Sequence, residues 1–563
     1  MAWPLQEGAT DTNFETSEPL LATVHFSDVG HLDLTHLAWP LQEGATDTNF
    51  ETSEFLLALV HFSDVGHLDL THLAWPLQEG ATDTNFETSE PLLATVHFSD
   101  VGHLDLTHLA WPLQEGATDT NFETSEPLLA TVHFSDVGHL DLTHLAWPLQ
   151  EGATDTNFET SGSLLALVHF SDVGHLDLKH LAWPLQEGAT DTNFETSGPL
   201  LATDHFGDVG YLDRTHMAWP LQEGATDTNF ETSGPLLATV HFSDVGHLDL
   251  THLAWPLQEG ATDTNFETSG FLLALVHFSD VGHLDLKHLA LPLQEGATDT
   301  NFETSGFLLA LVHFSDVGHL DLTHLAWPLQ EGATDTNFET SGFLLALVHF
   351  SDVGHLDLTH LAWPLQEGAT DTNFETSGSL LALVHFSDVG HLDLTHLAWP
   401  LQEGATDTNF ETSGSLLAMV HFSDVGHLDL THLAWPLQEG ATDTNFETSG
   451  SLLALVHFSD VGHLDLTHLA WPLQEGATDT NFETSGFLLA LVHFSDVGHL
   501  DLTHLAWPLQ EGATDTNFET SGSLLALVHF SDVGHLDLTH LAWPLQEGAT
   551  DTNVRLYCSK TQE

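Results

Sequence analysis

The sequence predicts an all-β fold, a single-domain β-solenoid with about three short strands in each coil. Three observations predict it. The 563-residue chain repeats a 36-residue unit, so that "AWPLQEGATDTN" begins at Ala2, at Ala38 and at every 36th residue up to Ala542. Each unit contains segments in which apolar and polar residues alternate, and turn-forming residues separate these segments. A short constant period is typical of solenoids, whose units bury their apolar faces against each other.

The repeat array occupies residues 1–553, as fifteen full units and a truncated sixteenth, and residues 554–563 form a non-repetitive C-terminal tail. The chain begins inside a unit, with no capping segment before it. In the tail, Val554 and Leu556 continue the alternation of the preceding strand. We therefore expect the start of the tail to cap the last coil.

The first predicted strand of each unit is "TDTNFET", residues 10–16 in the first copy. Its threonines and Phe14 alternate with acids and Asn13, which is the period-two pattern of a half-buried strand. The second strand is "LLATVHF", in which Ala22, Val24 and Phe26 share one face. These two segments supply the expected inward face of two sides of the coil.

The third predicted strand is "HLDLTHL", in which Leu32 and Leu34 oppose His31 and Asp33. Three corners connect the strands: "SEP" or "SGS", then "SDVG", then "AWPLQEG". Coils of this kind stack at the strand spacing of about 4.8 Å.

The alternative is an α-solenoid with two short helices in each repeat. Ser17 and Asp28 are suitable N-caps for helices over "EPLLATVHF" and "VGHLDLTHLAW". Against it, the segments between the turn-forming residues are short, and Gly30 inside the second helix costs about 1 kcal/mol. The sequence therefore favours strands.

The composition is strongly acidic, because Lys and Arg number 5 and Asp and Glu number 83, for a formal charge of −78. Five acids recur in every unit, as at Glu7, Asp11, Glu15, Asp28 and Asp33. Such a chain is not expected to bind nucleic acid or a membrane surface, both of which require clustered cations. Cations or basic proteins are the expected partners.

In-register stacking places like charges together. Asp33 of one coil then lies beside Asp69 of the next, and two carboxylates about 4.8 Å apart repel by about 0.9 kcal/mol even at the dielectric constant of water. We expect bound cations, raised carboxylate pKa values or both to offset this repulsion.

The segment "HFSDVGHLDLTH" is the candidate metal site. His25 and His31 flank a corner that contains Asp28, and together they offer nitrogen and oxygen ligands suited to Zn²⁺. The same set recurs in each unit, for example at His61, Asp64 and His67. The alternative interpretation is a solvated ladder of imidazoles. A second hypothesis is Ca²⁺ binding by the acid-rich face of residues 11–15. No cofactor is expected to be required.

Charging all 44 histidines would take the formal charge from −78 to −34, and the exposed imidazoles are expected to lie among carboxylates, which would raise the imidazole pKa values. The array should then be more stable near about pH 6 than near about pH 8.

No catalytic site is predicted, because fifteen equivalent copies do not provide one preorganised, asymmetric pocket. No signal peptide or transmembrane segment is recognisable. With a single cysteine, Cys558, the sequence does not indicate a compartment. Strand edges at the ends of the array predict end-to-end self-association.

The sequence does not identify a function. It fits an acidic structural or multivalent binding rod with affinity for divalent cations. The alternative is a translated minisatellite, an open reading frame in repetitive DNA without a selected function, and the near identity of the units favours it.

Overall fold

The structure is a computed structural model that describes residues 5–556 with short recurring gaps. One gap in each coil falls at residues 39–40 and equivalents, and a second at residues 44–45 and equivalents, which widens to five residues from 368–372 onward. A third gap covers up to three residues at 17–19 and equivalents, and residue 532 is also omitted. The chain divides into two compact units, Met1–Asp285 and Leu286–Glu563, and each is described by itself below.

Strands account for nearly all the described residues, and no helix occurs among them. Three-residue "LQE" strands begin with Leu5–Glu7 and recur every 36 residues to Leu545–Glu547. Strands of sequence "TDTNFET" begin with Thr10–Thr16 and recur at the same interval to Thr334–Thr340. From there the described strand is shorter: Asn373–Thr376, Asn409–Thr412, Asn445–Thr448, Asn481–Thr484, Asn517–Thr520 and Asn553–Leu556.

The predicted second and third strands lie in one extended stretch. In the first coil it is Leu20–Val29 and Leu32–Ala38. It is then continuous in Leu56–Ala74, Leu92–Ala110, Leu128–Ala146, Leu164–Ala182, Leu200–Ala218, Leu236–Ala254 and Phe271–Ala290. Afterwards it is divided into Phe307–Ser315 and His319–Ala326, Phe343–Ser351 and His355–Ala362, Ser379–Ser387 and His391–Ala398, Leu416–Ser423 and His427–Ala434, Leu452–Ser459 and His463–Ala470, Phe487–Ser495 and His499–Ala506, and Ser523–Ser531 and His535–Ala542.

Every described strand pairs in parallel with its own copy one unit away. Leu92 pairs with Leu128 and Ala110 with Ala146, and in the second unit Leu308 pairs with Leu344. The 36-residue coil of a parallel β-solenoid is therefore confirmed, and the α-solenoid is not what the chain forms. Pairing also extends into the tail, where Val554 lies opposite Phe518.

The core is formed by the inward side of the long stretch. Ala58, Val60, Phe62 and Leu68 are at most 2% exposed, and the described side chains at the same positions are buried in the following coils up to the last one, where Leu536 is 44% exposed. Within each unit the phenylalanines stack, as between Phe98 and Phe134, whose ring centroids are 4.9 Å apart with planes at 2°. The alternation predicted for "LLATVHF" is thus confirmed. The side chains of Thr10, Thr12 and Phe14, which are predicted to point inward, lie outside the described ones.

The "SDVG" corner bends the chain without interrupting the stacking. Its aspartate has a positive φ in every described coil, for example 53° at Asp352, a conformation that Asp tolerates better than most residues. Its glycine is required by close approach, because a Cβ on Gly390 would lie 2.6 Å from the carbonyl oxygen of Gly354 in the preceding coil.

Candidate functional site

The predicted metal-binding residues lie around this corner. His25 precedes the bend, Asp28 has a φ of 55° within it, and His31 follows it. All three side chains are exposed. In the next coil, Asp64 is exposed while His61 and His67 are half-buried. The outward positions follow from the alternation, because the residues between them supply the core.

The histidines form ladders along the stack of coils. The ring centroids of His25 and His61 are 4.7 Å apart, and those of His31 and His67 are 4.9 Å apart. The nearest aromatic neighbour of each ring is thus its own copy. Within the part of the chain that the structure describes, no three His, Cys, Asp or Glu side chains form a group that could hold a metal ion. The Zn²⁺ site at His25, Asp28 and His31 stays a prediction.

The first histidine ladder is joined to a ladder of serines. Ser387 Oγ donates to the carbonyl oxygen of Phe350 at 3.3 Å and lies 3.4 Å from His349 Nε2. Because the single hydroxyl proton is used on the carbonyl, the imidazole must donate through Nε2–H. The same arrangement joins Ser459 to Phe422 and His421, at 3.3 Å for each distance. The serine hydroxyl therefore connects coils.

The pKa values of this outward ladder shift opposite to the sequence-based expectation. Burial lowers the pKa of His421, and the neighbouring imidazoles His385 and His457 lower it further. Burial likewise lowers the pKa of His97, with His133 as the second cause. The predicted raising of these pKa values was wrong, because stacking brings each ring close to another imidazole and out of water.

A third histidine ladder lies inside the coils. Eight of its described members are 5–9% exposed, whereas His180 and His468 are half-buried; the eight are His108, His144, His252, His288, His324, His360, His396 and His432. Burial lowers the pKa of His360 to about 4, and the neighbouring His324 contributes to the shift. Burial also lowers the pKa of His432 to about 3. His360 and His432 are therefore neutral at pH 7, and buried histidines of this ladder differ from the exposed imidazoles on which the sequence-based pH expectation rested.

The aspartates after the second histidine form an outward acidic ladder. Asp105 is exposed and pairs in register with Asp69 on one side and Asp141 on the other. Burial raises its pKa, and the carboxylates of Asp141 and Asp69 raise it further. The pKa of Asp213 is also raised, first by burial and then by the carboxylates of Asp249 and Asp177. Like charges are thus held together at the coil spacing.

The predicted Ca²⁺-binding face at Asp11, Asn13 and Glu15 falls on side chains outside the described ones. In the equivalent strand of the second unit, Glu303 is exposed and accepts a hydrogen bond from Asn301 Nδ2 at 3.0 Å. This acid therefore points outward, as the alternation predicts.

One divergent coil carries two charges in its interior. Asp204 and Arg214 are each 1% exposed, at positions where the adjacent coils have Val240 and Leu250. Burial raises the pKa of Asp204 to about 7, opposed by Arg214, and burial lowers the pKa of Arg214 to about 9. The guanidinium carbon lies 5.0 Å from the centre of the Phe206 ring. Each group lowers the electrostatic cost of burying the other, although neither carboxylate oxygen of Asp204 has a hydrogen-bond partner among the described residues.

No family model, curated protein or solved structure matches the chain. None of the residues described forms a helix that is long and apolar enough to cross a membrane.

Two of these features were missed in the sequence. The signal for the buried histidine was present, because Leu32, Leu34 and His36 alternate and so share one face. Asp204 and Arg214 stand out as substitutions in a regular array, and the same alternation places them inward.

Proposed function

We propose that the chain is a structural and multivalent binding element that takes up divalent cations along its aspartate ladders. The observation that supports the proposal most directly is the pairing of Asp105 with both Asp69 and Asp141 in consecutive coils. Each added coil adds one carboxylate to the row, so binding capacity grows with the number of coils.

The electrostatics favour cation uptake. At pH 7 the buried imidazoles and the outward ones whose pKa is lowered, such as His421, are largely neutral and do not balance the acids. The formal charge of −78 therefore requires counterions from solution. Ca²⁺ accepts carboxylate oxygens in flexible geometries, which suits a row of aspartates better than it suits a closed cage.

The test compares melting temperature in CaCl₂ with melting temperature in NaCl of equal ionic strength. Ca²⁺ is expected to raise the melting temperature further, because a divalent ion contacts two carboxylates whereas a monovalent salt only screens them. If the two salts raised the melting temperature equally, screening alone would explain the effect, and the proposal would be contradicted.

Matched variants locate the uptake. Replacing four ladder aspartates by asparagine (D321N/D357N/D393N/D429N) should diminish the Ca²⁺ effect. The control removes the same number of charges from the corner (D316N/D352N/D388N/D424N), where asparagine also tolerates positive φ. If both variants lose the effect equally, total charge and not the ladder governs binding.

A second proposal is that the chain is a translated minisatellite without a selected function. The near identity of its units favours it, since duplication of a short DNA segment produces such an array. Deleting the reading frame, with loss of the divergent segment "GDVGYLDRTHMA" as the marker of the deletion, would contradict this second proposal if it changed the growth of the cells.

A further inference from the structure

The strand Phe307–Ser315 has apolar residues on both of its sides. Its burial alternates strictly, with Leu308, Ala310, Val312 and Phe314 buried in the coil and the remaining residues turned outward. The outward residues include Leu309 and Leu311. Apolar residues on both sides are typical of strands that are covered on both faces.

These outward residues line up through the second unit. Leu309 pairs in register with Leu345, and Leu311 with Leu347. We use the name leucine stripe for these aligned, half-buried outward positions in six consecutive coils. The stripe consists of Leu309, Leu311, Leu345, Leu347, Leu381, Leu383, Leu417, Met419, Leu453, Leu455, Leu489 and Leu491. Each is half-buried, so part of its surface stays in contact with solvent.

Two phenylalanines extend the stripe at one side. Phe307 and Phe343 are 47% and 53% exposed, and their rings stack with centroids 5.2 Å apart. On the other side the stripe is bordered by the histidine and serine ladders, as at His313 and Ser315. The first charged residue along the strand direction is Asp316, in the corner.

The stripe has the size of a functional apolar patch. Six coils at about 4.8 Å give a length of about 29 Å, and two outward residues in each coil, which take up about four residue steps of about 3.3 Å, give a width of about 13 Å. The projected area is then roughly 380 Å², within the roughly 300–600 Å² of the largest apolar patches on soluble monomers, which are often functional. It is about half of the roughly 800 Å² that each partner contributes to a complex of standard size, and the stacked phenylalanines at one side add to it.

We propose that the leucine stripe is a dimer interface and packs face to face against the same stripe of a second copy of this chain. Both faces have the same ladder spacing, so their side-chain rows mesh along the whole length at the usual sheet separation of about 10 Å. The stripe has no charged side chain, so it is the face on which two highly acidic chains can approach. A two-fold axis makes such a contact self-complementary and closed.

The chain itself supplies the substitution that tests the interface. In the first unit, the position equivalent to Leu311 is threonine at Thr95 and Thr131, and these residues keep register with Leu59 and Leu167. Threonine at this position is therefore compatible with the fold and removes the apolar surface.

The experiment is sedimentation velocity of the full chain at micromolar concentration and about 0.15 M salt, where screening acts within about 8 Å. The natural chain is expected to sediment as a dimer. The variant L311T/L347T/L383T/M419T/L455T/L491T is expected to raise the dimer dissociation constant by about 100-fold or more. The matched control changes six outward threonines of the next strand (T323S/T359S/T395S/T431S/T467S/T503S) and should leave it unchanged.

Circular dichroism of each chain checks that strand content is retained. If the six-fold variant loses it, the triple variant L347T/L383T/M419T serves instead, with an expected increase of about 10-fold. A monomeric natural chain overturns the proposal, and so does an unchanged dimer in the variants. Oligomers that grow without limit in natural chain and variants alike would show end-to-end association instead. Capture of monomers by phosphatidylcholine vesicles would identify a lipid surface as the occupant and also overturn the proposal.

The dimer proposal and the cation-uptake proposal are tested by different measurements, so one can be contradicted without the other. The dimer is measured by sedimentation without divalent ions, and the cation effect by the difference in melting temperature between two salts.

Discussion

Asp204 and Arg214 lie on the inward side of one strand, where both neighbouring coils have valine and leucine at the equivalent positions. A buried charge without a counter-charge costs several kcal/mol, and of the two groups Asp204 can avoid this cost by becoming protonated. The two substitutions are thus coupled through the core.

A double-mutant cycle measures this coupling. Asp204→Val leaves Arg214 buried without its counter-charge and should lower the free energy of unfolding by about 3–5 kcal/mol. Arg214→Leu should cost less, about 1–3 kcal/mol, because Asp204 can become protonated. The double variant restores the residues of the other coils and should be more stable than the natural chain by about 1–4 kcal/mol. Chemical unfolding of the four proteins gives the values, and additive single effects would contradict the coupling.

The buried histidine ladder should make the chain sensitive to acid. The folded pKa of His360 is about 4, below the unfolded value of 6.5, so the unfolded chain binds protons first as the pH falls. The stabilisation is fully present above pH 6.5 and is lost between 6.5 and about 4, by about 3 kcal/mol for each such histidine. Melting temperature should therefore fall as the pH decreases through this window, which reverses the expectation from the sequence.

The raised pKa values of Asp105 and Asp213 act in the opposite direction, since their protonation favours the folded state as the pH falls. These exposed carboxylates are expected to have the smaller effect. The variant H324L/H360L/H396L should shift the acid transition to lower pH, whereas replacing the outward His319, His355 and His391 by leucine should shift it less. Equal shifts in the two variants would argue against the buried ladder as the cause.

Gly390 should not tolerate a side chain. A Cβ at this position would lie 2.6 Å from the carbonyl oxygen of Gly354, and the backbone of the preceding coil cannot move away without losing its hydrogen bonds. Gly390→Ala should lower the free energy of unfolding by about 2 kcal/mol or more. Gly207→Ser is the control, because Ser243 occupies the paired position, and thermal melting should show little change.

The corner aspartates should be replaceable only by residues that accept positive φ. Asp352 has a φ of 53°, so Asp352→Ala should cost about 1–2 kcal/mol. Asp352→Asn and Asp352→Gly should cost less, measured by thermal unfolding at fixed ionic strength. A similar loss in all three variants would indicate that the carboxylate and not the backbone conformation is required.

Sequence alternation predicted most of the coil. The strand Thr10–Thr16 has the predicted bounds, and the inward direction of Val60 and Phe62 follows from period two. Two deviations arise from pairing between coils, which a single unit does not display. Leu5–Glu7 was assigned to a corner, because three residues between Pro4 and Gly8 are too short for a recognisable pattern. The corner after Phe62 was expected to separate two strands, yet Leu56–Ala74 is continuous because the bend occurs within a paired segment.

The candidate site was predicted less completely. The outward positions of His25, Asp28 and His31 follow from their spacing, but stacking of each imidazole on its own copy depends on the register between coils. The lowered pKa values have the same origin. By contrast, the alternation that turns Ala310 and Val312 inward also turns the leucines at 309 and 311 outward, and the burial pattern agrees.

Pairing of strand residues with their own copies has a consequence for how the chain can change in length. Within either compact unit, and outside the coil that carries Asp204 and Arg214, excising or inserting 36 residues reproduces an equivalent junction, since the new neighbours occupy the same positions of the repeat in the same register. An excision of any other size would shift the inward side chains out of line and disrupt the core. Selection on stability alone would therefore permit alleles that differ by whole coils and remove those that differ by fractions of one.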